Sequence, residues 1–149
     1  MKVQIRMYPP LWLLLFAGLA YGVSVLPVAT PTIDRPEWLI ALLVVLALPL
    51  LLGAAGLFRQ VGTTIDPFGE SSALVTRGPY RFTRNPMYLG MLLALTAWTL
   101  WLANPLALLL PPLFVWLITA RHIRPEERRL QRIFGIEYAD YCCRTRRWI

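Results

Sequence analysis

The sequence contains little charge, and the charge that it has is gathered into a few clusters. Asp, Glu, Lys and Arg make up 15% of the 149 residues, hydrophobic residues make up 57%, and the mean hydropathy is +0.54. Average soluble domains carry about 25% charged residues. The composition therefore excludes an ordinary soluble domain, and the long uncharged runs are typical of a membrane protein.

Cysteine is nearly absent, since Cys142 and Cys143 are the only two. Adjacent cysteines rarely satisfy disulfide geometry, and two thiols without neighbouring ligands do not form a zinc site. We expect two reduced thiols and no metal site. No A-x-A-like cleavage site follows the first apolar run, so we expect that run to be retained rather than removed as a signal peptide.

Four apolar segments predict an all-α integral membrane protein, because lipid cannot satisfy free backbone groups. Each segment approaches the ~20 residues that a helix needs to cross the hydrocarbon core. The expected spans are about residues 11–28, 38–58, 87–103 and 105–120.

The whole chain, residues 1–149, is expected to form a single domain around these spans. The connection over 59–86 contains many apolar residues, so we expect it to fold back along the membrane as a cofactor loop. After the last span, apolar residues at three-to-four spacing predict a C-terminal amphipathic helix over 125–141 on the cytoplasmic side.

The basic residues predict the orientation in the membrane. Fourteen of the 15 Lys and Arg residues fall on one side of the predicted spans, and Arg35 is the exception. Cytoplasmic segments carry this excess, so a multi-pass protein with both termini in the cytoplasm is expected. We therefore expect the protein, with its net charge of +7, to interact with the anionic headgroups of the lipid bilayer. Nucleic acid is not expected as a partner, because no basic groove or nucleic-acid-binding module is present.

Two polar clusters flank the last two spans and form the candidate site. The first runs from Leu74 to Gly90, and the second contains His122, Arg124, Glu126 and Glu127. The two spans are joined at Asn104-Pro105, which predicts a tight helical hairpin. Both clusters then lie at the same membrane face and can share one pocket.

Each cluster also has a purely structural interpretation. Pro86 fits the first turn of a helix and Asn85 fits its N-cap, while Glu126 and Glu127 suit the positive end of a helix dipole. The functional alternative is that free N–H groups at the start of the third span bind a polar cofactor group, and that the carboxylates bind a cation.

The order of these motifs resembles the isoprenylcysteine carboxyl methyltransferase family, to which phospholipid methyltransferases are related. The chain reads LVxxGPYRxxRNPMY, then a hairpin with Asn-Pro at its turn, then EExxL and FGxEYxxY, over about residues 61–143. The matching residues are Leu74, Val75, Gly78, Tyr80, Arg84, Pro86, Tyr88, Asn104, Pro105, Glu126, Glu127, Leu130, Phe134, Gly135, Tyr138 and Tyr141.

The resemblance implies S-adenosylmethionine as the methyl donor and a lipophilic or prenylated acceptor. Asn85 departs from the family pattern, because the eukaryotic carboxyl methyltransferases carry histidine there, but asparagine still donates and accepts hydrogen bonds. His122 stands where those enzymes carry a substrate-binding arginine, and Arg121 or Arg124 could replace it. The cofactor residues that the resemblance implies are Ser72, Ala73, Leu74, Val75, Tyr80, Asn85, Pro86, Met87, Tyr88 and Glu126.

The expected reaction is direct displacement at the sulfonium methyl group, in which the protein aligns the reactants and excludes water. A carboxylate acceptor needs only orientation, for which Arg121 and Arg124 are candidates. An amine or a thiol must first lose a proton, which would make Glu127 or His122 a general base. The sequence leaves these acceptors open.

Two function classes other than an enzyme remain as alternatives. A small transporter normally carries an ionisable residue within a span. No Asp, Glu, Lys or Arg lies inside the four predicted segments, which counts against a transporter. A non-catalytic membrane protein would not need ordered polar motifs on both sides of the hairpin.

Overall fold

The computed structural model describes residues 8–26, 33–61 and 74–149, and all regular structure in these ranges is helical. The prediction of an all-α protein is therefore confirmed for the described part of the chain. The α-helices are α1 (Pro9–Val25), α2 (Glu37–Val61), α3 (Pro86–Trp101), α4 (Leu110–Ile118), α5 (Arg124–Phe134) and α6 (Ile136–Arg144).

Two helical segments are long and apolar enough to cross a membrane. They are Glu37–Ala54 within α2 and the continuous run Ala107–Phe134, which contains α4, a π-helical turn at Thr119–Ile123, and α5. The 28 residues of the second run extend over roughly 42 Å, which exceeds the ~30 Å hydrocarbon core. Its apolar part ends at Ala120, so the charged part from Arg121 onward extends beyond such a core.

The helices α1 and α3 are apolar but shorter, with 17 and 16 residues. Length and composition in the structure thus support two of the four predicted spans directly. α3 lies against α2, α1 and α4, and its buried side chains occupy the centre of the molecule. The buried apolar cluster consists of Phe16, Tyr88, Met91, Leu95, Phe114, Ile118 and Ile123.

Close packing between α2 and α3 requires a glycine on α3. A Cβ atom built at Gly90 would lie 2.8 Å from a side-chain carbon of Leu51 and 3.2 Å from the backbone oxygen of Ala47. These distances are shorter than ordinary van der Waals contacts, so the absent side chain at Gly90 lets the two backbones approach. This approach places the first turn of α3 beside the middle of α2.

The amphipathic helix predicted over 125–141 is wrong as a single element. α5 begins at Arg124, in direct continuation of the π-helical turn, and ends at Phe134. Gly135 has a φ of +52°, a conformation that favours glycine and terminates a helix. The chain turns there and α6 packs back against α5, which buries Tyr138 and Tyr141.

Candidate functional site

A small cavity lies where the segment before α3 meets α5 and α6. Its volume is about 50 Å³. Among the described residues, five predicted cofactor residues line it, together with Glu127 as a predicted catalytic residue. The full described lining is Leu74, Val75, Tyr80, Arg84, Asn85, Ile123, Glu126, Glu127, Leu130, Tyr138 and Tyr141.

Tyr88 and Glu126 join the two halves of the site. The Tyr88 hydroxyl donates a hydrogen bond to Oε2 of Glu126 at 3.3 Å, so the first turn of α3 contacts the first turn of α5. Tyr88 is buried and Glu126 is partly buried. Two predicted cofactor residues from the two flanks of the hairpin therefore meet, although Tyr88 itself is not among the described lining residues.

The surroundings of Glu126 shift the pKa of its carboxyl group. Burial raises the pKa of Glu126 to about 7, although Arg129 and the hydrogen bond from Tyr88 act in the opposite direction. A carboxyl group in this range is partly protonated at neutral pH. A cation that approaches it favours the ionised form and is in turn held by it.

Tyr80 forms an aromatic wall of the cavity. It lies in a 3₁₀ turn at Gly78–Arg81, which begins at Gly78 with a φ of +58°. The Tyr141 hydroxyl donates to the backbone oxygen of Tyr80 at 2.7 Å and fixes this turn against α6. Burial and the nearby Glu126 raise the pKa of Tyr80 above its usual range, so the phenol stays neutral.

Asn85 occupies the N-cap position of α3, but its side chain makes no capping hydrogen bond. Its Nδ2 instead donates to the backbone oxygen of Arg147 at 2.9 Å. Thr83 donates to the same oxygen at 3.2 Å, and its hydroxyl accepts from the backbone N–H of Asn85 at 3.1 Å. The C-terminal residues thus hold the chain that leads into α3.

Glu127 differs from Glu126 because charged partners occupy both of its oxygens. Nε and Nη2 of Arg147 donate to Oε1 and Oε2, each at 2.8 Å, and Nη1 of Arg84 lies 3.4 Å from Oε1. A general base needs an oxygen that faces the proton it removes. The geometry therefore favours a structural ion pair at Glu127 over the general base suggested from the sequence.

His122 lies in the π-helical turn and is buried, with its ring centre 6.4 Å from that of Tyr88. Burial and the neighbouring Arg121 lower the pKa of His122, so it is neutral at pH 7. Arg121 and Arg124 are exposed and are not among the described residues that line the cavity. The arginine that does line it is Arg84, whose Nε is buried and has no hydrogen-bond partner in the described part of the chain.

The remaining predicted cofactor residues either do not line the described cavity or lie outside the described residues. Pro86 is buried at the first position of α3, and Met87 is partly buried beside it, but neither is among the described residues that line the cavity. Ser72 and Ala73 lie outside the described residues.

Sequence reasoning missed two features of the site. Arg147 contacts both sides of the hairpin, yet in the sequence it is one of several arginines after the last helix. Cys142 accepts a hydrogen bond from Nη1 of Arg84, whereas the sequence predicted only a reduced thiol there. Nothing in the local pattern distinguishes these residues, because their partners are 20 or more positions away.

Comparison with known proteins assigns the chain to a family. The sequence model described as phospholipid methyltransferase matches residues 37–137, from the start of α2 into α6. The chain belongs to the phospholipid methyltransferase family. The matched region covers both flanks of the hairpin, including Tyr88 and Glu126, and ends before Tyr138 and Tyr141 of the cavity lining.

Individual relatives of this phospholipid methyltransferase family member match up to about half of its length. An uncharacterized protein of Haemophilus influenzae is 48% identical over 63 residues, which are 42% of this chain and 100% of that protein. Protein-S-isoprenylcysteine O-methyltransferase A of Arabidopsis thaliana is 35% identical over 74 residues, or 50% of this chain and 38% of the plant protein.

The protein-S-isoprenylcysteine O-methyltransferase of Saccharomyces cerevisiae is 37% identical over 68 residues, or 46% of this chain and 28% of the yeast protein. The chain thus spans well under half the length of the two relatives with a named activity. The resemblance to the isoprenylcysteine carboxyl methyltransferase family is confirmed.

The described residues suit the methyl donor that the family implies. Glu126 supplies a desolvated carboxylate for a cation, Tyr80 an aromatic face, and Leu74 and Val75 apolar surface. The cavity of about 50 Å³ is much smaller than the roughly 300–1,000 Å³ of a small-molecule site. The described cavity could hold only a part of such a cofactor, and residues 62–73 of the predicted cofactor loop lie outside the described ranges.

Proposed function

We propose that this protein is a multi-pass membrane methyltransferase that uses S-adenosylmethionine and acts on a lipophilic acceptor at the cytoplasmic membrane face. The observation that carries the proposal is the contact between Tyr88 and Glu126 at the edge of the cavity. It joins two motifs on opposite flanks of the hairpin, as a shared cofactor site requires. Membership of a methyltransferase family supports the reaction class.

The cofactor supplies an electrophilic methyl group on a cationic sulfur when it is bound. Glu126 gives a negative charge to a site that is shielded from water, where it acts on a cation more strongly than in solution. Tyr88 orients that carboxylate through its hydroxyl. Tyr80, Leu74 and Val75 offer the apolar and aromatic surface for the uncharged parts, and Asn85 completes the wall at the start of α3.

We favour a carboxylate among the acceptors that the sequence leaves open. It is already nucleophilic and needs orientation rather than deprotonation. Both oxygens of Glu127 are engaged by arginines, which disfavours a general base at that position. Arg84 lines the cavity with an unused buried donor, so we assign acceptor orientation to Arg84 rather than to Arg121 or Arg124.

The membrane arrangement is proposed to have four spans. α1 and α3 are shorter than the ~20 residues of a simple span, but they are as apolar as α2. Large apolar side chains are exposed along α1 and α2, including Leu14, Leu19, Val45 and Leu52. A lipid environment explains such a surface, which would be unfavourable in water. An even number of spans places both termini in the cytoplasm.

A binding experiment in detergent tests the cofactor. We expect S-adenosylmethionine to bind the purified protein in calorimetry and to raise its melting temperature. Tyr88→Phe and Glu126→Gln should weaken both effects, and Cys143→Ser, at an exposed thiol, should change neither. Absence of binding together with an unchanged melting temperature would overturn the proposed function.

A transfer assay tests the acceptor. Methyl-labelled S-adenosylmethionine is offered with a prenylated cysteine, with its methyl ester, and with phosphatidylethanolamine. We expect label only on the free carboxylate of the prenylated cysteine. Transfer to the ester or to the phospholipid amine would contradict a carboxylate acceptor without affecting the cofactor assignment.

A further inference from the structure

We propose that Arg147 is a positioning residue that holds the two halves of the cofactor site at their working distance. The inference rests on the proposed function and extends it to the C-terminal strap, by which we mean residues 145–149. Arg147 contacts the segment before α3 through its backbone and the first turn of α5 through its side chain. It reaches the cofactor site only through these neighbours.

The backbone of the strap fixes the start of α3. The Arg147 carbonyl accepts hydrogen bonds from Asn85 at 2.9 Å and from Thr83 at 3.2 Å. The backbone N–H of Arg84 donates to the carbonyl of Arg146 at 2.9 Å. Three consecutive residues before α3 are thus hydrogen-bonded to two consecutive carbonyls of the strap. These three residues lie about one helical turn from Tyr88.

The side chain of Arg147 fixes the start of α5. Two parallel hydrogen bonds of 2.8 Å join its guanidinium group to both oxygens of Glu127. A planar guanidinium that binds a carboxylate in this way restricts both distance and orientation. Because Glu127 adjoins Glu126 on the first turn of α5, the same ion pair restricts the Glu126 carboxylate.

Trp148 anchors the strap in the apolar core. Its indole N–H donates to the Thr119 hydroxyl at 3.3 Å, and its ring packs against the buried cluster that contains Tyr88. Thr119 is the first residue of the π-helical turn that leads into α5. Trp148 therefore holds the strap at the junction between the apolar helix α4 and the polar helix α5.

The two halves need such a link because α3 and α5 do not pack along each other. Among the described elements, α3 packs mainly on α2, α1 and α4, while α5 packs on the π-helical turn and α6. The direct bond between Tyr88 and Glu126 is long at 3.3 Å. A displacement of about 1 Å in such a site can lower a transfer rate about a hundredfold.

The test measures S-adenosylmethionine affinity and methyl transfer for the original protein and five variants. Arg147→Ala removes the ion pair, and Arg147→Lys keeps the charge but loses the paired hydrogen bonds. Arg146→Ala is the matched control, because it removes an equal charge at the next position from an exposed side chain and leaves the backbone carbonyl in place. Glu127→Gln and the double variant Glu127→Gln/Arg147→Ala complete a double-mutant cycle with Arg147→Ala.

We expect Arg147→Ala to lower the affinity at least about tenfold and Arg147→Lys to recover part of it. Arg146→Ala should stay within about twofold of the original protein. In the Glu127→Gln background, Arg147→Ala should have almost no further effect, because the two residues act through one ion pair. A role in stability alone would lower the melting temperature without this coupling in affinity.

Three results would overturn the proposal. The positioning role falls if the original protein binds S-adenosylmethionine and Arg147→Ala binds it equally well. It also falls if the effects of Arg147→Ala and Glu127→Gln simply add. If Arg147→Ala does not fold, Arg147→Lys decides, and unchanged affinity in that variant removes the role. Failure of the original protein to bind the cofactor overturns the proposed function itself, and this inference with it.

Discussion

The two ends of the α3–α4 hairpin are built in different ways. At the turn end, two of the hydrogen bonds are local: Asn104 accepts from the backbone of Leu106 two residues away, and Ala103 donates to Leu100 three residues away, while the Ala103 carbonyl also accepts from the distant backbone N–H of Ile33 at 3.2 Å. At the site end, Tyr88 and Glu126 are 38 positions apart, and Asn85 and Arg147 are 62 apart. The turn is closed largely by bonds within itself, whereas the site requires the whole hairpin and the C-terminal strap to assemble.

The same contrast appears between two neighbouring carboxylates at the site end. Glu127 is saturated by Arg147 and Arg84, while Glu126 receives a single long bond from Tyr88. One acid holds the structure together, and the other is the acid that we assign to the cofactor. Adjacent residues on one helical turn therefore have different roles because the surrounding elements differ.

The largest expected effect is at Glu126. Glu126→Gln keeps the shape but removes the charge that we assign to cofactor binding. We expect S-adenosylmethionine affinity to fall between about tenfold and a hundredfold, as for loss of a charged hydrogen-bonding partner. Calorimetry measures it, and an unchanged affinity would remove Glu126 from the cofactor site.

Gly90 tests the close approach that places α3 against α2. Gly90→Ala should destabilise the protein by about 1–3 kcal/mol, because the new Cβ would meet Leu51 and the Ala47 backbone. Gly18→Ala is the control, since nothing lies within 4 Å of a Cβ there. That variant should instead gain up to about 1 kcal/mol from helix propensity. Equal melting temperatures for the two variants would contradict the close packing.

The pH dependence of binding sharpens the comparison between the two carboxylates. The raised pKa of Glu126, about 7, means that the ionised form needed for a cation becomes available as pH rises through 7. We expect the affinity for S-adenosylmethionine to increase by up to about tenfold from pH 6 to pH 8, with a flat profile in Glu126→Gln. A flat profile in the original protein would contradict this assignment.

The same group affects the stability of the cofactor-free protein in the opposite sense. Because its folded-state pKa lies above the ordinary value of 4.5, its contribution to stability is complete below about pH 4.5 and is lost as pH rises through 7. Glu126→Gln should therefore melt at a higher temperature than the original protein at pH 8, and the difference should shrink at pH 5. Thermal unfolding at the two pH values measures it.

The smallest expected effect is at the turn end. The Arg35 guanidinium carbon lies 5.5 Å from the ring centre of Trp101, which stacks on Trp98. Arg35→Ala should cost about 0.5–1 kcal/mol of stability through loss of this cation–π contact. Cofactor affinity should not change, because the substitution is at the opposite end of the hairpin. A clear loss of affinity would mean that the two ends are coupled.

Local patterns predicted the parts of this protein that depend on neighbouring residues. The apolar runs predicted all-helical structure, and Pro86 begins α3 as its fixed φ favours. The break at Gly135 was missed because the apolar spacing of Leu130, Phe134 and Tyr138 continues across it. A glycine in a helical pattern is compatible with either a weak helix or an end, and only its φ of +52° separates the two.

The order of the motifs predicted which residues meet at the site, but it did not predict the role of each one. The motifs indicated that Tyr88 and Glu126 belong together, and the structure brings them within a hydrogen bond. The motifs did not indicate that Glu127 is an ion-pair partner, that Arg121 and Arg124 stay exposed, or that Arg84 lines the cavity. Those outcomes depend on how α6 and the strap pack against α5 and the segment before α3.

The sequence alone determined the apolar and helical character of the chain and its family, because hydrophobic periodicity and motif order are properties of the linear chain. Only the tertiary structure decided which acid is neutralised, which arginine lines the cavity, and how the strap joins the segment before α3 to α5. Burial and ion pairing arise from elements that are distant in sequence, and their electrostatic effects depend on distances of a few ångströms.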